Sequence, residues 1–242
     1  METKPQVFLL TPTPKEFLGV KMFVENAVFQ NFVLHTYESG PGKINAALTL
    51  AQLLTLSKER GELPLCVVGA GTSGSLDLSL KRGDLVASLE VIISDWVHDD
   101  GSEILVGPYA TFDYGFPEQS RLDSMVLRST DPTLVKFIDK LPQNAFRSGR
   151  ILTSDAFQAQ KDHKLKLGAT YKALVCDMES GAFAWTAQKC YNIPWFNLRV
   201  VADTLDEGLT DYFLTEDNAT QALGAKTLEA LQILDRFLES NI

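Results

Sequence analysis

The sequence predicts an α/β fold, a mixed or parallel sheet covered by helices. Short β-branched and apolar runs alternate with helical patterns along the whole chain. No composition break, repeat or low-complexity linker divides it, so residues 1–242 are expected to form one domain. At 242 residues, a chain that is 45% hydrophobic and 22% charged can bury roughly 70–75% of its unfolded surface in one large core.

Each element follows from its local pattern. Residues 7–10 read as a first strand, with a helix from Pro14. Residues 32–37 and 65–68 read as strands, with a helix over 43–60 between them. Residues 85–93 form one apolar run and predict one strand. Further strands are expected at 150–153, 173–176 and 195–201, separated by helices at 158–167 and 180–191. The last helix is predicted over 218–239, where Leu223, Leu228, Leu231, Leu234 and Leu238 recur with helical period. Between 95 and 123 the periodicity fails, and Gly, Pro and aromatic residues predict a long loop that packs on itself or caps a small-molecule pocket.

Charge and cysteines exclude several function classes. Against 31 Asp+Glu stand 22 Lys+Arg, a net −9, the opposite of a nucleic-acid footprint. No apolar run approaches the ~18–20 residues of a membrane span, and the N-terminal run is too short for a signal peptide. Cys66, Cys176 and Cys190 lack metal or redox spacing and read as free thiols of a cytoplasmic protein.

Two glycine-rich stretches invite misreading. Gly69 to Gly74 fits G-x-G-x-x-G directly after a strand, but the turn Lys81-Arg82-Gly83-Asp84 leaves no room for the helix that a dinucleotide site requires. The glycines instead predict a turn where backbone closely approaches a ligand or another strand. SGPGKINAA, at 39–47, is either a plain helix-opening turn or a place to hold anions or ribose hydroxyls. His35, His98 and His163 are scattered, no P-loop or G-x-S-x-G is present, and no metal or cofactor is implied.

The carboxylates carry the chemistry. Asp177 and Glu179 follow a strand and open an apolar helix; the first suits helix capping, the second suits gripping a polar ligand. Asp203 ends another strand and Glu16 follows the first. If these strands run parallel, the acids converge where α/β sheets bind ligands. Such clusters let one acid donate a proton while another acts as base.

The blocks SGPGKINAA, GAGTSGSLDLSLKRGDLVAS, TSDAF, DMESGAFAWTA and PWFNLRVVAD, in this order, resemble the nucleoside phosphorylase/nucleosidase superfamily, and most of all its 5'-methylthioadenosine/S-adenosylhomocysteine nucleosidases. The resemblance implies a three-layer α/β/α fold with a central mixed, partly barrel-like sheet, a homodimer, no cofactor, and hydrolysis of a purine N-glycosidic bond. It casts Glu16 as the base that activates water and Asp203 as the acid at purine N7. Glu179 would hold the ribose hydroxyls, with Met178 packed on the sugar. Phe157 would stack on the purine beside the backbone of Ala156 and Gln158. Thr72, Ser73 and Gly74 would line the ribosyl site, and Phe213 would pack on the 5' substituent.

The chain departs from that pattern in places. Ala202 stands where nucleosidases usually carry Ser, which removes a bond that orients Asp203 or the base, and the 95–123 loop differs. Family phosphorylases carry arginines where this chain has Gly69 and, near the first turn, only Lys15. Hydrolysis is therefore expected, with phosphorolysis through Lys15, a futalosine-type hydrolase and a non-catalytic nucleoside-binding protein as alternatives. An Asp at 203 favours a 6-aminopurine, since its second oxygen accepts from N6.

Overall fold

A computed structural model describes residues 4–94, 97–99, 103–105, 126–205 and 209–240. The central strand is β3 (Cys66–Ser75), and the strands β1 (Gln6–Thr11) and β12 (Trp195–Asp203) lie parallel to it on opposite edges. β2 (Val33–Glu38) extends this group beyond β1. A second parallel group, β5 (Glu90–Ile93), β10 (Arg150–Thr153) and β11 (Ala173–Asp177), joins β3 in antiparallel sense through Val175–Ser75 and Cys176–Gly74. The two groups thus meet with their carboxyl ends together, at the end of β3. β4 (Leu85–Ser88) pairs with β12 and β9 (Phe146–Ser148) with β4, and β8 (Val126–Arg128) closes the path beyond β5. The path is open rather than closed, with a branch at β3 in place of full barrel closure.

Alternation along the strands builds two cores. Val7 and Leu9 of β1, with Phe196, Leu198 and Val200 of β12, face α1 (Pro14–Val24), α3 (Pro132–Lys140) and α6 (Leu209–Glu239). Phe8, Leu10, Trp195 and Val201 face the other way, onto α2 (Gly42–Glu59) and α5 (Ser180–Trp185). Period two in the strands therefore yields the three-layer arrangement. α4 (Lys161–Tyr171) closes a third cluster with Leu76, Leu152 and Cys176 through Leu167 and Tyr171.

The structure corrects several expectations. The apolar run at 85–93 is two strands: the Ser88 hydroxyl donates to the Glu90 carbonyl at 2.7 Å and accepts from its amide at 3.0 Å, a local bond that ends one ladder. Gly69 to Gly74 is no turn but the interior of β3. The helix expected at 180–191 is a short α5 continued by a π-helical turn at Thr186–Cys190, and the last helix begins nine residues earlier than its leucines suggest, at Leu209 rather than 218. β8, α3 and β9 were not anticipated. Apart from the hairpin β6 (Val97–Asp99) and β7 (Glu103–Leu105), the 95–123 loop lies outside the described residues. Among the described residues, no helix is long and apolar enough to cross a membrane.

Candidate active site

A cavity of about 190 Å³ opens where the carboxyl ends of β1, β3, β10, β11 and β12 meet. That suits one nucleoside, being below the roughly 300–1,000 Å³ typical of drug-sized ligands. Glu16, Thr72, Ser73, Gly74, Ala156, Phe157, Gln158, Met178, Glu179 and Asp203 all line it, so ten residues singled out from scattered stretches of sequence share one space. The side chain of Phe213, within α6, lies outside the described residues.

Glu16 is placed by the start of α1. Thr13 and Glu16 form a capping box: Glu16 Oε2 accepts from the Thr13 amide at 3.0 Å and its hydroxyl at 2.8 Å. Oε1 accepts from the amide and hydroxyl of Thr72 on β3, at 2.6 and 2.8 Å. This carboxylate is buried and held by four neutral donors.

Glu179 sits at the end of β11. Its Oε1 accepts from the Gly42 amide, 2.8 Å away at the first turn of α2, where a φ of +82° suits glycine and the helix dipole favours negative charge. Burial, with Asp177 and Glu16 close by, pushes the Glu179 carboxyl up to about 8, against the pull of Arg199 and the Gly42 amide. The SGPGKINAA turn therefore holds a protein carboxylate by its backbone. Asp177 is structural, as its capping role predicts: its carboxylate accepts from Thr153 Oγ1 at 2.6 Å and the Ser180 amide at 2.9 Å, and forms an ion pair with Arg199 Nε at 2.6 Å.

Sequence reasoning missed Arg199. Fully enclosed on β12, it also donates from Nε to Ser180 Oγ at 2.9 Å, while Nη2 lies 3.9 Å from Glu179. Among the described residues, Nη1 and Nη2 make no hydrogen bond. Gly71 explains the fit: a Cβ there would collide with Nη1 and lie 3.2 Å from Glu16 Oε1, so the guanidinium and the Glu16 carboxylate flank one backbone position. Asn197 lies over Gly69 in the same way. A signal was present. The apolar run at 195–203 is broken at every second residue by Asn197, Arg199 and, after Val201, Asp203, a polar stripe on one face.

Asp203 reaches the cavity through a register shift. Val201 pairs with Ser73 and Asp203 with Gly74, leaving Ala202 as the extra residue of a bulge. A Cβ at Gly74 would meet Asp203 Oδ2 at 3.0 Å, so the missing side chain admits the carboxylate. Its partner is Lys164 of α4, wholly enclosed, whose Nζ lies 2.5 Å from Oδ2 and 3.1 Å from the Thr204 carbonyl. Ala202 thus leaves the acid well oriented, by a cation from another element. Cys176 completes this wall as a neutral thiol, pushed up to about 12 by burial.

The remaining lining is a loop after β10. Ser154 Oγ accepts from the Ala156 amide at 3.1 Å and fixes the turn that presents Phe157, 40% exposed, to the cavity. Ser73 donates its hydroxyl to the Val200 carbonyl at 3.2 Å. Lys15 does not serve an anion site: its ammonium pairs with Glu216 at 2.7 Å and Asp217 at 3.4 Å.

A family model described as "Phosphorylase superfamily" matches residues 29–239. The 5'-methylthioadenosine/S-adenosylhomocysteine nucleosidase of Staphylococcus haemolyticus (strain JCSC1435) is 29% identical over 180 residues, covering 74% of this chain and 72% of that one. Its counterpart from Staphylococcus epidermidis (strain ATCC 12228 / FDA PCI 1200) is 26% identical over 219 residues, covering 88% and 86%. Among solved structures, the Helicobacter pylori nucleosidase with butyl-thio-DADMe-Immucillin-A superposes with a TM-score of 0.73 at 19% identity, over 95% of this chain and 99% of that one. Futalosine hydrolase of Helicobacter pylori does so with 0.71 at 20%, over 95% and 97%. These structural likenesses concern the fold.

Proposed function

From the premise that this chain belongs to the phosphorylase superfamily, we propose that it is a purine nucleoside N-ribosylhydrolase. Its substrates are 5'-modified adenosines such as methylthioadenosine or S-adenosylhomocysteine, cleaved to adenine and the free ribose derivative. One observation carries this reading: Glu16, Glu179 and Asp203 line a single nucleoside-sized cavity together with Thr72 to Gly74 and Phe157.

The roles follow from the surroundings. Glu16 takes a proton from the attacking water; its four neutral donors orient it without cancelling its charge. Glu179 accepts from the ribose hydroxyls and strengthens those bonds as positive charge grows on the sugar, with Met178 against it. Asp203 delivers a proton to purine N7 and accepts from N6, making the base a better leaving group by about 10²–10⁴-fold. Phe157 stacks on the purine, and Ala156 and Gln158 meet its edge through their backbone.

Water rather than phosphate is the acceptor. The Lys15 cation is engaged by Glu216 and Asp217. Beside Arg199 stands Asp177, with Glu16 across Gly71, carboxylates that repel a dianion. The likeness to futalosine hydrolase concerns fold, and an acid at 203 supports a 6-aminopurine instead. The protein works as a cytoplasmic homodimer.

The test is adenine release from methylthioadenosine in phosphate-free buffer and again with millimolar phosphate. Equal release in both is expected. Release only with phosphate would make the chain a phosphorylase, and no release would redirect the search to another nucleoside.

A further inference from the structure

The Asp203 carboxylate faces an ammonium, and that poses a problem of proton supply. Lys164 Nζ lies 2.5 Å from Oδ2, both side chains are enclosed (0% and 2% exposed), and the ammonium also donates to the Thr204 carbonyl at 3.1 Å. With lysine as ammonium, the carboxylate holds no proton to give. We propose that Lys164 is the source of the proton that Asp203 passes to the purine, so that amine and carboxylate act as one donor. The inference rests on the nucleosidase reading above.

The step balances. The C1'–N9 bond breaks and its electron pair stays with the purine. N7 takes the proton on Asp203, and Asp203 takes one from Lys164 Nζ, which becomes a neutral amine. Glu16 receives the proton that the attacking water loses. Adenine leaves as its neutral N7–H form, and the proton on Glu16 is restored to the Lys164–Asp203 pair through solvent after product leaves.

The environment suits the transfer. Transfer within the pair exchanges two buried opposite charges for two neutral groups, which lightens their desolvation. Among the described residues, the other titratable groups nearby are Cys176, a neutral thiol, and Asp177, already held by Arg199, Ser180 and Thr153. Among those residues, Lys164 brings a cation to this end of the cavity. It does not line the cavity, so it acts through Asp203 as a positioning and proton-supplying residue.

Two variants separate proton supply from simple pairing. Lys164→Arg keeps the charge but cannot give up its proton, whereas Lys164→Gln loses both. Adenine release from methylthioadenosine by the unmodified chain comes first, since its failure would sink the nucleosidase reading rather than this one. Both variants are then expected to lose about 10²–10³-fold in kcat, within the range of a lost proton donor, with KM within about threefold. Both should retain turnover of 4-nitrophenyl β-riboside, whose leaving group needs no proton. Three results would each overturn the assignment: turnover restored by arginine, equal losses on both substrates, or a chain that folds with neither substitution.

Discussion

Glu16 and Asp203 line one cavity, and their surroundings differ in kind. Glu16 is held by four neutral donors, two from its own helix start and two from Thr72. Asp203 pairs with a buried cation delivered from a distant helix. Neutral donors fix a carboxylate's position and leave its charge for a proton or a developing cation. A cation cancels that charge and leaves a proton shared between two partners. A base needs the first arrangement and a proton donor needs the second, so the chemistry is written in the partners more than in the two acids.

Breaking the acid wall should cost most. Asp203→Asn removes the proton donor and is expected to lower adenine release by about 10³–10⁴-fold, while nucleoside affinity measured by calorimetry stays within a few-fold. Glu16→Gln keeps size and two acceptor positions but cannot take a proton, and should cost about 10²–10³-fold in kcat. A sharper probe of the neutral wall is Thr72→Val, which deletes one of the four donors and leaves the amide. It should destabilise by roughly 1–2 kcal/mol and lower kcat about tenfold, read by denaturant unfolding and single-turnover rates.

Between the walls, Glu179 offers a comparison by pH. Its folded carboxyl titrates near 8 against an ordinary 4.5, so the native state binds more protons across that interval. Stability should therefore fall as pH rises from about 4.5 to about 8 and level off above it. Glu179→Gln should flatten this slope in a series of melting curves. The smallest effect belongs to Lys15→Ala. This ion pair is exposed and screened by solvent, so its loss should leave stability nearly unchanged, and turnover should change less than twofold with or without phosphate.

These contrasts also show what the sequence could reveal. The acids were legible because each ends or follows an apolar strand, where α/β sheets gather ligands, and because five motif blocks stood in a familiar order. The glycine stretch was half legible. Close approach was expected, but its place inside β3 was not, since a glycine-rich run reads as a turn until Asn197 and Arg199 are seen lying across it. Arg199 was signalled by period two in β12 and was overlooked. Lys164 gave no signal at all: in KDHKLKLGATY it is one of several basic residues on a helix of weak pattern, and only the packing of α4 on Leu76 and Cys176 selects it.

The crossing of Arg199 over Gly71 also sets an order in which this chain can change. On the present background Gly71→Ala pushes a methyl into the guanidinium and is ruinous. After Arg199→Ala the guanidinium is gone, and of the closest contacts only Glu16 Oε1 at 3.2 Å remains. The two positions are coupled as neighbours in a double-mutant cycle are. A lineage or an engineer who wishes to thicken this strand must shorten the arginine first, and one who restores the arginine must restore the glycine before it.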